Sequence, residues 1–412
     1  MTKRIVVVGG GFAGLWAAAA ASRLRALHGA EGRLDIRLVA PDPFHTIRVR
    51  CYESDLDGIR VPLDDVLVPI GVQHCEARVE RIDADRRSLT VRAADGSGQD
   101  LTYDRLVLAA GSAVAPPPIP GLAEHAFDVD TYAGAARLDA HLHTLSKGTK
   151  RPGCWTAAVL GAGLVGIEIA CELPARLAAL QAAAGSDEPA RVILIERGPE
   201  IGADMGAGRP AILAALAQAG VEVRTGTAIA AVDDQGITLG NGEAIAVGTV
   251  ICATGLRASP LAEQIAAPRD AFGRLGVDAY LAVEGVPGIY AAGDIARAVA
   301  DEAGHATVMS CQHARPMGRL AGHNAACDLL GIPAARIAFS APDYVTVLDL
   351  GPWGAAYTSG WQRDVLVASG EEAKRVKTVI NRQRIYPPSG RGAILAAAAP
   401  IVQSRPAAPQ AT

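Results

Sequence analysis

The chain has 412 residues and a formal net charge of −4, and half of its residues are hydrophobic. This length suits two or three domains of ordinary globular composition. The weakly acidic balance and the 4% aromatic content argue against a nucleic-acid-binding protein. Charged residues soon interrupt every apolar run, so we expect no bilayer-spanning segment. We expect a cytoplasmic protein whose membrane contact is at most peripheral, at the inner face.

Seven cysteines are dispersed along the chain, and no two are spaced as C-x-x-C. Disulfide frameworks and zinc sites need paired or clustered cysteines, so the pattern argues against both. We therefore expect reduced thiols and no metal site.

The N-terminal residues combine a predicted strand, a glycine-rich turn and a helix. Ile5 to Val8 are a β-branched run typical of a buried parallel strand, and an alanine-rich helix follows the turn. The glycines between them fit G-x-G-x-x-G, which makes a tight turn, admits a pyrophosphate and lets the helix pack on the strand. The helix N-terminus would bind the phosphates. The predicted dinucleotide site consists of Gly9, Gly11, Phe12, Ala13 and Gly14.

A second parallel strand is predicted over residues 34–39. In a dinucleotide site an acidic residue at the end of this strand binds the ribose. Ala40 stands at that position, and Asp42 is the acidic residue two positions later. The sequence leaves open whether Asp42 or another group binds the ribose.

Residues 76–110 alternate in the manner of a β-meander and lead through a buried strand to Ala110 and Gly111. The proline-rich segment 116–121 excludes a helix or a central strand. It therefore predicts a linker that crosses to a second unit.

The opening pattern then repeats. Its second glycine motif consists of Gly161, Gly163, Leu164, Val165 and Gly166. The next strand ends in Glu196, whose carboxylate would bind the ribose 2′-hydroxyl and repel a 2′-phosphate. This copy predicts an NADH site at which NADPH is disfavoured, although the neighbouring Arg197 weakens the preference. The alternative is a structural repeat that holds no nucleotide.

Residues 221–255 repeat the meander and end at Gly255, and a further strand ends in Gly293 and Asp294. Duplication of the whole unit predicts two nucleotides in one protein, more specifically than either glycine motif alone. The last dozen residues, rich in proline and alanine, are expected to be disordered. The elements predicted before them are a helix over 309–330, strands over 344–350 and 355–358, and a basic amphipathic helix over 371–384.

The motifs together resemble the two-dinucleotide flavoprotein reductases over roughly residues 3–325. The stretches that carry the resemblance are Gly9–Gly14, Tyr103–Gly111, Gly161–Leu173, Thr254-Gly255 and Gly288–Asp294. The resemblance implies an α/β fold with two Rossmann-like dinucleotide-binding domains and β-meanders, the NAD domain being inserted in the FAD domain, and a small α+β C-terminal region. The implied limits are 1–115 and 256–330 for the FAD-binding domain, 116–255 for the NAD(P)H-binding domain, and 331–412 for a C-terminal interface region with a disordered tail.

In that family the first unit holds FAD and the second holds NAD(P)H. By the resemblance, Asp294 hydrogen-bonds the ribityl chain of FAD, and the helix that begins near Cys311 directs its positive end at the flavin. The other residues that the resemblance places at the cofactors are His45, Ala110, Gly111, Gly255, Gly293 and Gln312.

Within the superfamily the chain is most similar to the type II NADH:quinone dehydrogenases. Their Tyr-His and Leu-Tyr pairs fall in the register of Phe44-His45 and Cys51-Tyr52, and their Ala-Gln-x-Ala-x-Gln helix start is matched by Cys311–Ala314. The departures from that family are Pro316 in place of the second glutamine, Arg48 and Arg50 at apolar positions, and a C-terminal region without a Trp-rich pair of membrane-docking helices. The basic helix with Lys374 and Lys377 is expected to face solvent, a dimer partner or anionic lipid.

The resemblance implies three catalytic candidates, Glu168, Gln312 and His313. Glu168 would lie near the nicotinamide and the flavin edge, where it orients the nicotinamide or relays a proton. Its alternative role is that of a carboxylate stabilised by the helix dipole. Gln312 would line the acceptor pocket, and His313 is either a proton donor or a histidine that merely begins the helix.

The sequence therefore predicts an FAD-dependent NADH dehydrogenase that passes electrons to a small acceptor, foremost a quinone. Two other enzymes stay open: a reductase of a ferredoxin-like redox protein, and a single-cysteine NADH oxidase or disulfide reductase that uses Cys51 or Cys311. A protein of another class, similar to apoptosis-inducing factor, would use NADH binding to switch an interaction. The sequence leaves a homodimer open.

Overall fold

The computed structural model describes residues 2–145 and 151–400. The tail expected to be disordered lies outside these residues. Helices and strands are mixed throughout, which confirms the predicted α/β class. The α-helices of the described residues are α1 (Phe12–Leu27), α2 (Leu63–Leu67), α3 (Leu122–His125), α4 (Tyr132–Thr144), α5 (Leu164–Ala183), α6 (Arg209–Gln218), α7 (Cys311–Leu330), α8 (Gly370–Val379) and α9 (Arg391–Ala397).

The β-strands of the described residues are short and form several sheets. In chain order they are β1 (Lys3–Val8), β2 (Leu34–Ala40), β3 (Phe44–Thr46), β4 (Arg60–Pro62), β5 (Gln73–Asp83), β6 (Ser88–Ala93), β7 (Gly98–Thr102), β8 (Arg105–Leu108), β9 (Ser112–Val114), β10 (Ala126–Phe127), β11 (Thr156–Leu160), β12 (Arg191–Ile195), β13 (Glu222–Arg224), β14 (Ile229–Val232), β15 (Gly236–Leu239), β16 (Ala244–Ala246), β17 (Thr249–Cys252), β18 (Leu256–Ala258), β19 (Leu275–Gly276), β20 (Ile289–Ala291), β21 (Ala296–Arg297), β22 (Val345–Asp349), β23 (Ala355–Ser359) and β24 (Val365–Ser369).

The first glycine motif follows a central strand of a seven-stranded sheet ordered β20-β8-β1-β2-β5-β6-β7. β1 pairs in parallel with β2 on one side and with β8 on the other. Ile5, Val6 and Val7 are completely buried, as expected for a strand covered on both faces. Because β20, β8 and β1 are parallel, the turns that follow them meet at one edge of the sheet.

The second glycine motif has the same position in a five-stranded parallel sheet ordered β10-β17-β11-β12-β13. β11 leads into the motif and lies between β17 and β12. The chain crosses between the two sheets twice, and the crossing strands β9 and β18 pair antiparallel. Residues 116–119 contain no helix or strand, as predicted for the linker.

The two meanders differ in their attachment. β5 pairs in parallel with β2 and then antiparallel with β6, so the first meander extends the seven-stranded sheet. Residues 222–224, predicted to open the second meander, instead pair in parallel with Ile193–Ile195. That prediction was wrong, because α6 returns the chain to the open edge of β12. The second meander is a separate sheet, β14-β15-β16.

Helices α1 and α7 pack backbone against backbone behind the first glycine motif. A Cβ atom at Gly318 would overlap the carbonyl oxygen of Ala13, and one at Gly322 would overlap that of Ala17. This close approach brings α7 alongside the helix that follows the first glycine motif.

The C-terminal region contains the antiparallel sheet β22-β23-β24, and α8 packs on it through Ala373 and Val376. α8 continues as a π-helical turn over Ile380–Arg384, so the predicted basic helix is confirmed in its extent. Within residues 2–145 and 151–400, no helix has both the length and the hydropathy that crossing a membrane requires.

Candidate functional site

The first glycine loop has the geometry of a phosphate cradle. Gly9 has a φ of +115°, and a Cβ atom at Gly14 would overlap the carbonyl oxygen of Gly9. Gly11, which precedes α1, has no atom within 4 Å of the position that a Cβ atom would take. The loop is therefore closed on the protein side and open at the helix N-terminus, as a bound pyrophosphate requires. Phe12 and Ala13, the first residues of α1, are buried.

The second glycine loop repeats this arrangement. Gly161 has a φ of +98°, a Cβ atom at Gly166 would overlap the carbonyl oxygen of Gly161, and Gly163 faces open space. Glu196 folds back over the loop, where its Oε2 accepts a hydrogen bond from the Ala162 amide at 2.9 Å and its Oε1 accepts one from the Gly198 amide at 2.7 Å. The carboxylate predicted to bind a ribose is thus placed at the glycine loop. Leu164 and Val165 begin α5.

The acidic residue of the first unit has other partners. Asp42 Oδ1 accepts hydrogen bonds from the Phe44 amide at 3.1 Å and from Arg60 Nη2 at 2.8 Å. The Arg60 guanidinium lies over the ring of Phe44, with 3.8 Å between its Cζ and the ring centroid. Asp42 is half exposed, so its role toward a ribose stays a prediction.

The turns that follow β8, β17 and β20 carry the remaining small residues of the predicted flavin site: Ala110, Gly111, Gly255 and Gly293. Gly111 has a φ of +67° and accepts a hydrogen bond from the Ser259 amide. Asp294 follows Gly293, and its Oδ2 accepts from Ser112 Oγ at 2.7 Å. Arg48 reaches the same carboxylate at 3.4 Å while it pairs with Asp130 at 2.5 Å.

His45 lies fully buried beneath the first glycine loop. Its Nδ1 donates to the carbonyl oxygen of Gly10 at 3.0 Å, and its ring meets that of Phe12 edge-on. Burial lowers the pKa of His45 to about 4, so the ring is neutral at physiological pH. His45 thus supports the loop from behind.

A cavity of about 180 Å³ lies where the two units meet the C-terminal region. Cys311, the first residue of α7, and Leu164, the first residue of α5, both line it. Its apolar wall consists of Val49, Leu164, Val345, Val347, Ile380 and Ile385. The polar side chains that line it are those of Ser310, Gln312, Arg315, Asp343, Tyr344, Thr346, Lys377, Asn381 and Arg384. Such an apolar cavity with a few polar groups is typical of a small-molecule site.

The two candidates at the start of α7 differ in their placement. Gln312 lines the cavity, and its Nε2 donates to the carbonyl oxygen of Asp343 at 3.1 Å. His313 is 1% exposed, accepts a hydrogen bond from the Val308 amide and stacks on the rings of Tyr344 and Trp361. Burial lowers the pKa of His313 to about 4. His313 does not line the cavity, so this geometry fits the structural role better than that of a proton donor.

Glu168 forms a buried ion pair that links α5 to α8. Lys377 Nζ donates to Glu168 Oε1 at 2.8 Å and to the carbonyl oxygen of Val347 at 3.0 Å. The Asp349 amide donates to the same carboxylate oxygen at 3.1 Å. The expected solvent or membrane face of α8 is therefore wrong for Lys377, which is 8% exposed and lines the cavity.

The pair has shifted proton affinities. Burial raises the pKa of the Glu168 carboxyl group, against the opposing effect of the Lys377 ammonium. Burial by itself would lower the pKa of Lys377, but the carboxylates of Glu168 and Asp349 raise it overall. The ammonium group is therefore held in its charged form beside the cavity.

Asp349 extends this cluster in a way that sequence reasoning missed. Its Oδ2 accepts from the hydroxyl of Tyr52 at 3.0 Å, and its Oδ1 accepts from Lys374 Nζ at 2.5 Å. Tyr52 is 3% exposed and is buried in this cluster. The available signal was the i, i+3, i+4 spacing of Ala373, Val376 and Lys377, which marks the buried face of α8.

Residues 3–318 match the pyridine nucleotide-disulphide oxidoreductase family. The chain belongs to that family. It is 53% identical to an NADH dehydrogenase-like protein of Mycobacterium tuberculosis over 98% of this chain and 100% of the relative. It is 30% identical to the demethylphylloquinone reductase NdbB of Synechocystis, over 71% of each chain.

The solved structures share the fold of this pyridine nucleotide-disulphide oxidoreductase. The NDH2 of Plasmodium falciparum in complex with NADH superposes with a TM-score of 0.78 at 13% identity, covering 96% of this chain and 97% of that one. The architecture and the recognised family are therefore confirmed, and the protein is an NAD(P)H oxidoreductase that uses a flavin.

The cysteines of this oxidoreductase are poorly placed for thiol chemistry. Burial raises the pKa of the Cys51 thiol to about 12, and Asp130 adds to the shift. Burial also raises the pKa of Cys311. Since the thiolate is the reactive form, neither residue is activated as a nucleophile. The described residues contain no group of three potential metal ligands.

Proposed function

We propose that the protein is an FAD-dependent NADH dehydrogenase whose electron acceptor is a quinone. The observation that carries the proposal is the cavity: it contacts the first residue of α7, the first residue of α5 and the buried ammonium of Lys377. This combination of apolar walls and a fixed cationic donor suits an aromatic acceptor with carbonyl oxygens. The curated quinone-reducing relative supports the acceptor class.

The residues at the first glycine loop fit FAD. Gly9, Gly11 and Gly14 leave room for a pyrophosphate at the N-terminus of α1, and Asp294 offers a carboxylate for hydroxyl groups of the ribityl chain. Bound there, the flavin supplies the two-electron chemistry that couples NADH to the acceptor. The N-terminus of α7 adds a positive dipole end, which favours a reduced, anionic ring.

At the acceptor, Lys377 and Glu168 act as a unit. The ammonium of Lys377 donates a hydrogen bond to an acceptor oxygen and stabilises the negative charge that develops there. Glu168 keeps this ammonium charged and fixed. The overall reaction consumes NADH, one quinone and one proton and yields NAD⁺ and one hydroquinone, so one proton per turnover comes from solution.

Steady-state oxidation of NADH, with and without menadione, tests the proposal. We expect rapid turnover that requires the quinone, and unchanged turnover in Cys51→Ser. Flavin reduction without turnover would favour an NADH-sensing interaction protein, and turnover that needs a ferredoxin would favour a redox-protein reductase. Loss of activity in Cys51→Ser would favour the single-cysteine enzymes.

Replacing Glu196 by alanine is expected to weaken the preference for NADH over NADPH. The variant removes the carboxylate that repels a 2′-phosphate and that would pair with the ribose hydroxyls. The KM for NADH should rise about tenfold, and the KM for NADPH should fall, as measured in steady state. Glu200→Ala, which removes an exposed carboxylate four residues on, is the control and should change neither constant. An unchanged ratio in Glu196→Ala would place the ribose elsewhere.

A further inference from the structure

Asn381 has an unsatisfied acceptor at the cavity. It lies in the π-helical turn that continues α8, one turn beyond Lys377, and it is 3% exposed. Its side chain lines the cavity, and its Oδ1 atom has no hydrogen-bond partner among the described residues. A buried amide oxygen without a partner is costly, so a ligand group or a water must satisfy it.

The orientation of this amide is fixed. Asn381 Nδ2 donates to Glu53 Oε1 at 3.2 Å. A carboxylate only accepts hydrogen bonds, so the nitrogen must face Glu53 and the oxygen must be the atom that is left over. Since the same side chain lines the cavity, we infer that Oδ1 is the atom left to accept a hydrogen bond there, and rotation of the amide cannot turn it into a donor.

Glu53 is itself held in place by two arginines. Arg50 Nη2 donates to its Oε2 at 2.8 Å and Arg382 Nη2 donates to the same atom at 3.1 Å. Arg50 is 2% exposed and also donates to the hydroxyl of Tyr386 at 2.6 Å. Arg50, which stands where the type II NADH:quinone dehydrogenases have an apolar residue, thus supports Glu53 and, through it, Asn381.

The oxidised and reduced forms of a quinone differ in whether they can donate a hydrogen bond to Asn381 Oδ1. A quinone ring offers only carbonyl oxygens, which pair with Lys377 but leave Asn381 unsatisfied. A hydroquinone carries hydroxyl groups, which donate. One neutral hydrogen bond to a group that is otherwise buried and unpaired corresponds to about tenfold in affinity.

We propose that Asn381 accepts a hydrogen bond from a hydroxyl group of the reduced acceptor, so that the cavity discriminates in favour of aromatic ligands that carry a hydroxyl donor. The proposal rests on the proposed function and names the residue that senses the reduced form of the acceptor. It assigns Asn381 the recognition of product.

Binding of two redox-inert probes tests the proposal without turnover. In the FAD-loaded, oxidised enzyme without NADH, calorimetric titration should show that 1-naphthol binds about tenfold more tightly than 1-methoxynaphthalene, which has the same rings and no donor. The isosteric variant Asn381→Leu should abolish this preference. Thr346→Val is the matched control: it also removes a polar atom from the cavity wall, but Thr346 Oγ1 already accepts from Arg363 Nε at 2.9 Å, so the preference should persist.

Several outcomes would overturn the assignment. Equal binding of both probes to the wild type does so without any variant, as does a preference that survives in Asn381→Leu. Ser310 Oγ is another buried polar atom at the cavity without a partner, so loss of the preference in Ser310→Ala but not in Asn381→Leu would identify Ser310 Oγ, and not Asn381 Oδ1, as the acceptor of the hydrogen bond.

If Asn381→Leu does not fold, the wild-type comparison and the Ser310→Ala variant still decide. Product inhibition gives a second measurement: 1,4-dihydroxynaphthalene should inhibit menadione reduction about tenfold less in Asn381→Leu than in the wild type. Absence of quinone turnover alongside an intact naphthol preference would overturn the proposed function and leave the role of Asn381 standing.

Discussion

Lys377→Met is expected to lower the free energy of unfolding by about 3–5 kcal/mol, because it leaves the Glu168 carboxylate buried without its cation. The pair is one of the most buried in the chain, with 10% and 8% of the two side chains exposed. Arg375→Met is the control. It removes an exposed cation two residues earlier on the same helix, and it should cost about 1 kcal/mol at most.

The stability that Lys377→Met loses should depend on pH, and the pKa of Glu168 decides the sign of this dependence. Burial raises the pKa of this carboxyl group even beside Lys377, and removal of the ammonium raises it further. A carboxyl group whose pKa is higher in the folded than in the unfolded state stabilises the fold below its unfolded value, and this contribution is lost as the pH rises through its folded value. Chemical denaturation at pH 5 and pH 8 should therefore show the larger deficit of Lys377→Met at pH 8.

The double variant Glu168→Gln, Lys377→Met separates stability from catalysis. It removes both charges of the pair, so neither is left buried without its partner, and most of the lost stability should return. Turnover with menadione should stay about a hundredfold below that of the wild type in both variants, because the cation at the acceptor is missing. Recovery of turnover in the double variant would contradict the role of Lys377, and failure to recover stability would contradict the pairing.

Two alanine substitutions in the first glycine motif are expected to have different effects, one on folding and the other on flavin binding. Gly14→Ala places a Cβ atom onto the carbonyl oxygen of Gly9. Because this oxygen belongs to the backbone and cannot move aside, we expect the clash to cost more than about 4 kcal/mol. We expect little folded protein. Gly11→Ala meets nothing within 4 Å, and Gly11 has a φ of −73° that alanine adopts readily. We expect a folded protein that has lost its flavin, because the Cβ atom occupies the space of the pyrophosphate.

Visible absorbance and thermal unfolding of the purified variants measure the two effects separately. Gly163→Ala is the counterpart in the second unit: it also faces open space and should retain the flavin while the KM for NADH rises. Retention of flavin by Gly11→Ala would contradict the assignment of FAD to the first unit.

Local pattern alone predicted the duplicated architecture. The runs before Gly9 and Gly161 become parallel strands, and the helices after them begin within one residue of Gly11 and Gly163. The short strand at residues 222–224 was assigned to the wrong sheet, because a three-residue run fits either arrangement and only the path of α6 decides its partner.

Local motifs predicted two glycine loops with the geometry of dinucleotide sites, because a glycine loop between a strand and a helix is encoded within about a dozen residues. What lies between the two loops depends on contacts that form only when the whole chain folds. Glu168 and Lys377 are 209 residues apart, and Glu53 and Asn381 are 328 residues apart. No spacing rule links such residues, since their contacts arise when the C-terminal sheet folds back over both units.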